Sequence, residues 1–83
     1  MGGRSSGEVS SWQVYPNPND GRFVIRNGLG YTASFEVSDA YSRVLGVYDV
    51  QPGEQQLRLM LPAGVYFIRE RRSGTVQRVV VVE

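Results

Sequence analysis

The sequence predicts a small all-β domain, a seven-stranded antiparallel β-sandwich of immunoglobulin-like type. Three observations lead to this fold class. Turn-forming residues recur about every ten residues, the segments between them alternate apolar and polar side chains, and those segments are rich in valine and aromatic residues. No window keeps apolar residues at the i, i+3, i+4, i+7 spacing of an amphipathic helix. A five- or six-stranded barrel is the alternative all-β arrangement.

Seven segments have the composition and the period of strands. In chain order they span residues 12–15, 21–27, 31–39, 43–50, 55–61, 65–72 and 76–82. Pro16 ends the first strand, because proline lacks the N–H that a sheet ladder needs. Gly46 predicts a bulge or a close backbone contact in the fourth, and Pro52-Gly53 predicts the turn before the fifth. The sixth begins with four apolar residues, which predicts a central strand buried on both faces.

The alternation also predicts which side chains form the core. One face of the second, third and fifth segments is apolar, whereas arginines occupy positions between. The predicted core residues on these faces are Phe23, Ile25, Ala33, Phe35, Val37, Leu57, Leu59 and Leu61. We expect Phe67 and most of the five tyrosines to join them. Trp12 is the aromatic whose position is least determined, and an exposed row of aromatics would instead stack on sugar rings.

The composition excludes several classes of function. The chain has 83 residues and a net charge of +1, its nine basic residues are all arginine, and it has no cysteine and no histidine. Disulfides, thiolate zinc sites and imidazole-based catalytic triads are therefore impossible. We expect no cofactor, no metal site and no enzyme, since Asp39 and Asp49 are the only default candidates for a carboxylate pair. The near-zero net charge does not favour a nucleic acid or an anionic membrane as partner.

The chain divides into a linker and one domain. Residues 1–10 are rich in glycine and serine and are interpreted as a flexible linker, in part an expression remnant. Residues 11–83 form the domain, and the linker before them is typical of the last part of a longer protein. No signal peptide is recognisable, and no apolar stretch is long enough for direct membrane insertion.

Two segments allow a structural and a functional interpretation. In "NPNDG" the oxygens of Asn17, Asn19 and Asp20 would suit a calcium loop, but the residue types and spacing favour a turn. The arginines of residues 69–72 form either a solvated face or a docking patch for an anionic partner.

The valine-rich end of the chain is either a buried central strand or a strand offered to a partner. In the second case it would pair with a partner's sheet edge or be exchanged in a strand-swapped or edge-paired homodimer.

Four motifs in order give the chain a family resemblance: "YPNPNDGRFVI", "VSDAYSRVL", "LPAGVYFIR" and the valine-rich terminus. In this combination the chain resembles the C-terminal sorting domain of the type IX secretion system of Bacteroidetes. Two residues depart from the family pattern, because Ser42 stands where glycine is usual and Arg78 where lysine is frequent. If the backbone at residue 42 needs a positive φ, Ser42 is strained there by about 1 kcal/mol. The motif residues to which the resemblance assigns signal recognition are Tyr15, Pro16, Asn17, Pro18, Gly21, Asp39, Arg43, Leu61, Pro62, Gly64, Tyr66, Arg78, Val79, Val80, Val81 and Val82.

The resemblance implies a non-catalytic secretion signal at the end of a cargo protein. Such a domain passes through the periplasm, is recognised in the folded state by the type IX outer-membrane translocon, and reaches the cell surface or the medium. A sortase-like surface protease usually removes it by cutting in the linker. The alternative is a structural or carbohydrate-binding immunoglobulin-like module of a surface protein or of the secretion machinery.

Overall fold

A computed structural model describes residues 11–83 and contains seven strands. The strands are β1 (Trp12–Tyr15), β2 (Arg22–Asn27), β3 (Ala33–Asp39), β4 (Val44–Val50), β5 (Gly53–Arg58), β6 (Gly64–Glu70) and β7 (Val76–Val81). Their number and order confirm the sequence prediction, and no bound differs from it by more than three residues. The predicted linker, residues 1–10, lies outside the described residues. Within residues 11–83 no helix has the length and apolarity that crossing a bilayer requires.

The strands form two antiparallel sheets. One sheet has the order β1-β2-β5 and the other β4-β3-β6-β7. Their inward faces pack together as a sandwich, which confirms the predicted fold class. In the constant-type immunoglobulin arrangement the fourth strand joins the sheet of the first two, whereas here β4 pairs with β3 in the opposite sheet.

The core lies between the inward faces, and its largest buried side chain, Trp12, comes from the first strand. Trp12 is only 2% exposed, and its ring packs against Phe35 with the ring centroids 4.9 Å apart. Its indole Nε1–H donates to Thr75 Oγ1 at 2.8 Å, so the polar edge of the ring is also satisfied. Phe23 and Ile25 of β2 are buried in the same core cluster, as predicted. The single tryptophan is therefore a core residue.

One predicted core residue lies on the wrong face. Because β6 places Tyr66, Ile68 and Glu70 inward, the residue between the first two, Phe67, lies on the outer face and is half-buried. The predicted central position of β6 is confirmed, since it lies between β3 and β7. A central strand with apolar residues on both faces gives no alternation by which its inward face could be chosen.

The C-terminal strand is an edge strand. β7 pairs with β6 along one side and is the last strand of its sheet. Of the two interpretations of this segment, the central strand is therefore wrong, whereas the strand offered to a partner stays a prediction. Its inward residues Val79 and Val81 are nevertheless buried, whereas Val76 and Val82 are exposed. The strand therefore belongs to the domain's own core.

A buried carboxylate closes the turn between β6 and β7. Glu70 has no exposed surface. Its Oε2 accepts the Arg72 N–H at 2.9 Å and its Oε1 accepts the Ser73 N–H at 2.8 Å. Burial raises the pKa of Glu70, but hydrogen bonds from Ser73, Arg72 and Tyr31 outweigh it, so the net pKa lies below the ordinary value of 4.5. The carboxylate is thus charged and buried, with backbone donors in place of water.

Candidate functional site

The sequence motifs come together at one end of the sandwich. Because the strands alternate in direction, the loops before β2, β4 and β6 and the end of β7 all lie at this end, which we call the motif end. It comprises the loops of residues 16–21, 40–43 and 59–63, together with residues 80–82. The first residue of β1, Trp12, lies at the opposite end, where it bonds Thr75 and accepts from the Gln77 side chain.

A short segment of the first loop runs along the outer edge of β7. We call residues 17–19 the NPN strap. The Asn17 side chain accepts the Val80 N–H at 2.9 Å and donates to the Arg78 carbonyl at 2.9 Å. Asn19 continues the ladder through its backbone, donating to the Val80 carbonyl at 2.9 Å and accepting the Val82 N–H at 2.7 Å. The strap thus satisfies four backbone groups of an edge strand that would otherwise face solvent.

The side-chain oxygens of the "NPNDG" loop serve the turn itself. Asn19 is buried, and its Oδ1 accepts the Gly21 N–H at 2.8 Å. Asp20 forms an exposed ion pair with Arg22, which lowers the pKa of Asp20 to about 2. Together with the Asn17–Val80 bond, these contacts are those of a structured turn, the interpretation that the sequence favoured. The Tyr15–Pro16 and Asn17–Pro18 peptide bonds are both cis.

The "DAYSR" motif is the hairpin between β3 and β4. Asp39 Oδ1 accepts the backbone N–H groups of Tyr41 and Arg43, and its Oδ2 accepts the Arg43 Nε–H at 2.8 Å. The Arg43 N–H lowers the pKa of Asp39, burial opposes this, and Tyr41 and the guanidinium add to the lowering. Ser42 has a φ of 67°, so the position where the family has glycine does need positive φ.

Replacing Ser42 by glycine is expected to stabilise the domain. The left-handed conformation costs a non-glycine residue about 1–2 kcal/mol, and glycine's greater unfolded-state freedom offsets about 0.4–1 kcal/mol of the gain. We expect a net increase of about 0.5–1 kcal/mol in the free energy of unfolding, measured by urea titration. Ser38→Gly, within β3, is the matched control and should lower stability. Equal effects of the two substitutions would contradict the strain at Ser42.

The "LPAGVY" motif forms the corner that leads into β6. The Tyr66 hydroxyl donates to the Pro62 carbonyl four residues upstream at 2.6 Å. A tyrosine near the start of this strand, bonded back to the preceding loop, is the tyrosine corner of immunoglobulin-like sandwiches. Tyr66 is buried, and Gly64 pairs with Val81 of β7. This motif therefore fixes the third loop against the end of the last strand.

A groove opens at the motif end beside β4. It has a volume of about 480 Å³ and lies between the β3–β4 hairpin and the loop that leads into β6. We call it the β4 groove, and its lining residues are Asp39, Arg43, Leu45, Tyr48, Leu59, Met60, Leu61, Pro62 and Tyr66. Five of these are predicted motif residues, so two distant motifs share one concave surface. Met60 is 94% exposed, which is unusual for so apolar a side chain.

The structure brings most predicted site residues to one end but not to one surface. Asp39, Arg43, Leu61, Pro62 and Tyr66 line the β4 groove. The residues of the other motifs meet along the β7 edge or the loop that covers it. These are Pro16, Asn17, Pro18, Gly21, Gly64, Arg78, Val79, Val80, Val81 and Val82. Tyr15 lies apart from them at the end of β1, where its hydroxyl donates to a carboxylate oxygen of Glu54 on β5.

Sequence reasoning missed Asn19 as a strap residue, and it missed Leu45 and Met60 as groove residues. Asn19 lies inside a quoted motif. The adjacent apolar pair Met60-Leu61 next to Pro62 was the available signal for the groove.

The structure places the residues on which three of the alternative interpretations depend. The carbohydrate-binding interpretation needs an exposed Trp12, whose ring is instead buried in the core. Asp39 and Asp49 lie at opposite ends of the β3–β4 hairpin, and Asp49 accepts from Ser34 Oγ at 2.6 Å. Among the clustered arginines, Arg69 pairs with Glu36 and Arg72 lies 4.5 Å over the Tyr31 ring.

Fold and site together define an immunoglobulin-like β-sandwich module whose motif residues shape an edge, a corner and a groove. The family model described as the secretion system C-terminal sorting domain matches residues 13–83, and the chain belongs to this family. A search of the curated proteins finds no match. Membership implies interaction with the type IX secretion system and export toward the outer membrane, the cell surface or the medium. Domains of this family are generally non-catalytic.

Proposed function

We propose that the outer-membrane translocon of the type IX system recognises this domain in its folded state and binds it at the motif end. One observation carries the proposal. The motif residues are spread from Tyr15 to Val82, yet the strap, the corner and the groove bring them to one end of the sandwich. An unfolded chain would present them as separate short peptides, so a receptor that requires them together recognises the fold.

The direction of the chain supports the same reading. The first strand begins at the end opposite the motif end, and a seven-residue strand is about 23 Å long. A cargo joined before Ser11 is thereby held away from the surface that the translocon contacts. A sortase-like protease would cut in the same region, within residues 1–10, without touching the sandwich.

The polar motif side chains act mainly by holding the shape of the motif end, and less by direct contact with the translocon. Hydrogen bonds inside the domain use the polar side-chain atoms of Asn17, Asp39 and Tyr66. The groups left for a partner are the apolar lining of the β4 groove and the outer surface of the last strand. Arg78 on that strand and Val82, which directly follows it, are exposed. The domain therefore acts as a docking module with no chemistry of its own.

A transfer experiment tests the proposal. The chain of residues 1–83 is fused behind a fluorescent protein that is directed to the periplasm of a bacterium with a working type IX system. We expect surface fluorescence in that strain and retention in a translocon-deficient strain. A displayed product shortened by slightly less than 9.3 kDa, the mass of the whole 83-residue chain, would support removal of the domain by the protease.

A reporter retained in both strains, although its sandwich is folded, would contradict the proposal and favour a structural module. The control for the folded state is a fusion of Tyr66→Ala, which loses the corner at the motif end but keeps every charged group. Export of this variant at the wild-type level, when it is shown to be unfolded, would contradict recognition of the folded domain.

A further inference from the structure

The two edges of the four-stranded sheet are treated differently. The outer edge of β7 is covered by the NPN strap through four hydrogen bonds of 2.7–2.9 Å. The other edge is β4, which pairs with β3 on one side, and within residues 11–83 no strand pairs with its other side. An uncovered edge strand is a template for a further strand.

The register identifies which backbone groups of β4 are free. The Arg71 N–H donates to the Ser34 carbonyl at 2.9 Å, so the backbone groups of Ser34 point toward β6. The same holds for Glu36, two residues on. Their partners on β4 are Asp49 and Val47, which therefore turn their N–H and C=O groups away from β3. Two donors and two acceptors thus face outward at the free edge.

The side chains of this edge do not protect it. Natural edge strands usually carry charges that discourage pairing. β4 instead exposes Val44 (54%), Leu45 (45%) and Val47 (43%). Its one charged residue, Asp49, is next to its last residue, and Arg43 directly precedes its first. Leu45 also lines the β4 groove, so the free edge and the groove adjoin each other at an exposed apolar side chain.

We propose that β4 is a docking edge, at which an extended segment of a type IX secretion component adds as a strand and places an apolar side chain in the β4 groove. The inference rests on the proposed function, because the partner is the system to which the family docks. The partner segment has aliphatic side chains at alternate positions and unblocked N–H groups opposite Val47 and Asp49. The motif residues Asp39, Arg43 and Tyr66 then position the hairpin and the corner that border the groove.

A second copy of the chain fits this edge less well. The register of β3 and β4 shifts between Val37 and Ser38, so Leu45 is a bulged residue that ends the regular part of the edge. Two copies related by a two-fold axis would pair over only a few residues. A flexible segment can follow the bulge from the edge into the groove.

Proline substitutions on the two edges test the proposal. Val47→Pro removes an outward N–H of β4, and Val76→Pro is the matched control, since by alternation the Val76 N–H points outward from β7. Met60→Glu places a charge in the groove at a residue too exposed to be needed for folding. We expect surface display of the fused reporter to fall about tenfold or more for Val47→Pro and Met60→Glu and to stay within about twofold for Val76→Pro.

Folding and oligomeric state are measured on the same purified chains. If Val47→Pro unfolds, Met60→Glu still decides. Display of Met60→Glu and of a folded Val47→Pro at the wild-type level would overturn the proposal. A wild-type dimer that Val47→Pro abolishes would assign the edge to a second copy and also overturn it.

Amide exchange separates this inference from the proposed function. In the ¹⁵N-labelled chain the Val47 and Asp49 amides should exchange fast alone and slowly with purified translocon. Failure of the wild-type chain to export would count against the proposed function, whereas unprotected Val47 and Asp49 amides in a translocon complex would remove the docking edge alone.

Discussion

Gly21→Ala is expected to destabilise the domain by about 2–4 kcal/mol, a large part of the stability of a domain of this size. Gly21 has a φ of 100°, in the region that disfavours side chains, and a Cβ there would clash with the Leu59 carbonyl oxygen. The clash cannot be relieved cheaply, because Gly21 O also accepts the Leu59 N–H at 2.8 Å. Urea denaturation followed by the fluorescence of the single, buried Trp12 measures the loss.

Gly30→Ala is the control that separates the two effects at Gly21. Gly30 also has a positive φ, 84°, but a Cβ would meet no atom within 4 Å. The substitution should therefore cost only the conformational term, about 1 kcal/mol. Similar losses for the two variants would mean that the close approach to Leu59 is absent in solution.

Glu70→Gln is expected to cost about 2–3 kcal/mol at neutral pH. The carboxylate accepts two backbone N–H groups with its two oxygens, whereas an amide offers one oxygen and places its NH₂ group against the second donor. A buried N–H would then lose its partner. Glu36→Gln is the control, because Glu36 forms a partly exposed pair with Arg69, and its loss should cost less than about 1 kcal/mol.

The difference in unfolding free energy between wild type and Glu70→Gln should also depend on pH, with a defined sign. The folded pKa of Glu70 lies below its ordinary value of 4.5, so the native state binds the proton less readily than the unfolded state. Its stabilising contribution is complete above pH 4.5 and is lost as the pH falls through the folded pKa. The stability difference between wild type and Glu70→Gln should therefore shrink on acidification below that pH. A difference that is constant from pH 7 to about pH 3 would contradict the charged state of the buried carboxylate.

The alternation of side chains was sufficient to predict the strands and most of the core. In β2 and β3 the apolar residues occupy one face only, so Phe23 and Phe35 could be assigned inward from the sequence. The alternation gave the wrong face for Phe67, because adjacent apolar residues occupy both faces of this central strand. It also could not tell a central from an edge position for β7, because inward valines are needed in both.

The site was predictable as a set of motifs but not as a geometry. The Asn17–Val80 bond joins residues 63 positions apart, and no local pattern encodes such a contact. The groove likewise combines Leu45 of β4 with Met60 of a later loop. The positive φ of Ser42 could be predicted only conditionally. Glycine is usual at this position in the family, which suggests that the backbone there has a positive φ, and a serine at the same position would keep that conformation.

The NPN strap makes the motif end depend on two segments that are far apart in the sequence, residues 17–19 and residues 78–82. Its four bonds use backbone groups of Arg78, Val80 and Val82, and Val80 is synthesised 63 residues after its partner Asn17. A chain that stops before Val80 has neither the strap nor the buried Val81. A folded motif end therefore requires a chain that extends at least to Val82, and a chain truncated before Val80 would lack the surface that we propose the translocon recognises.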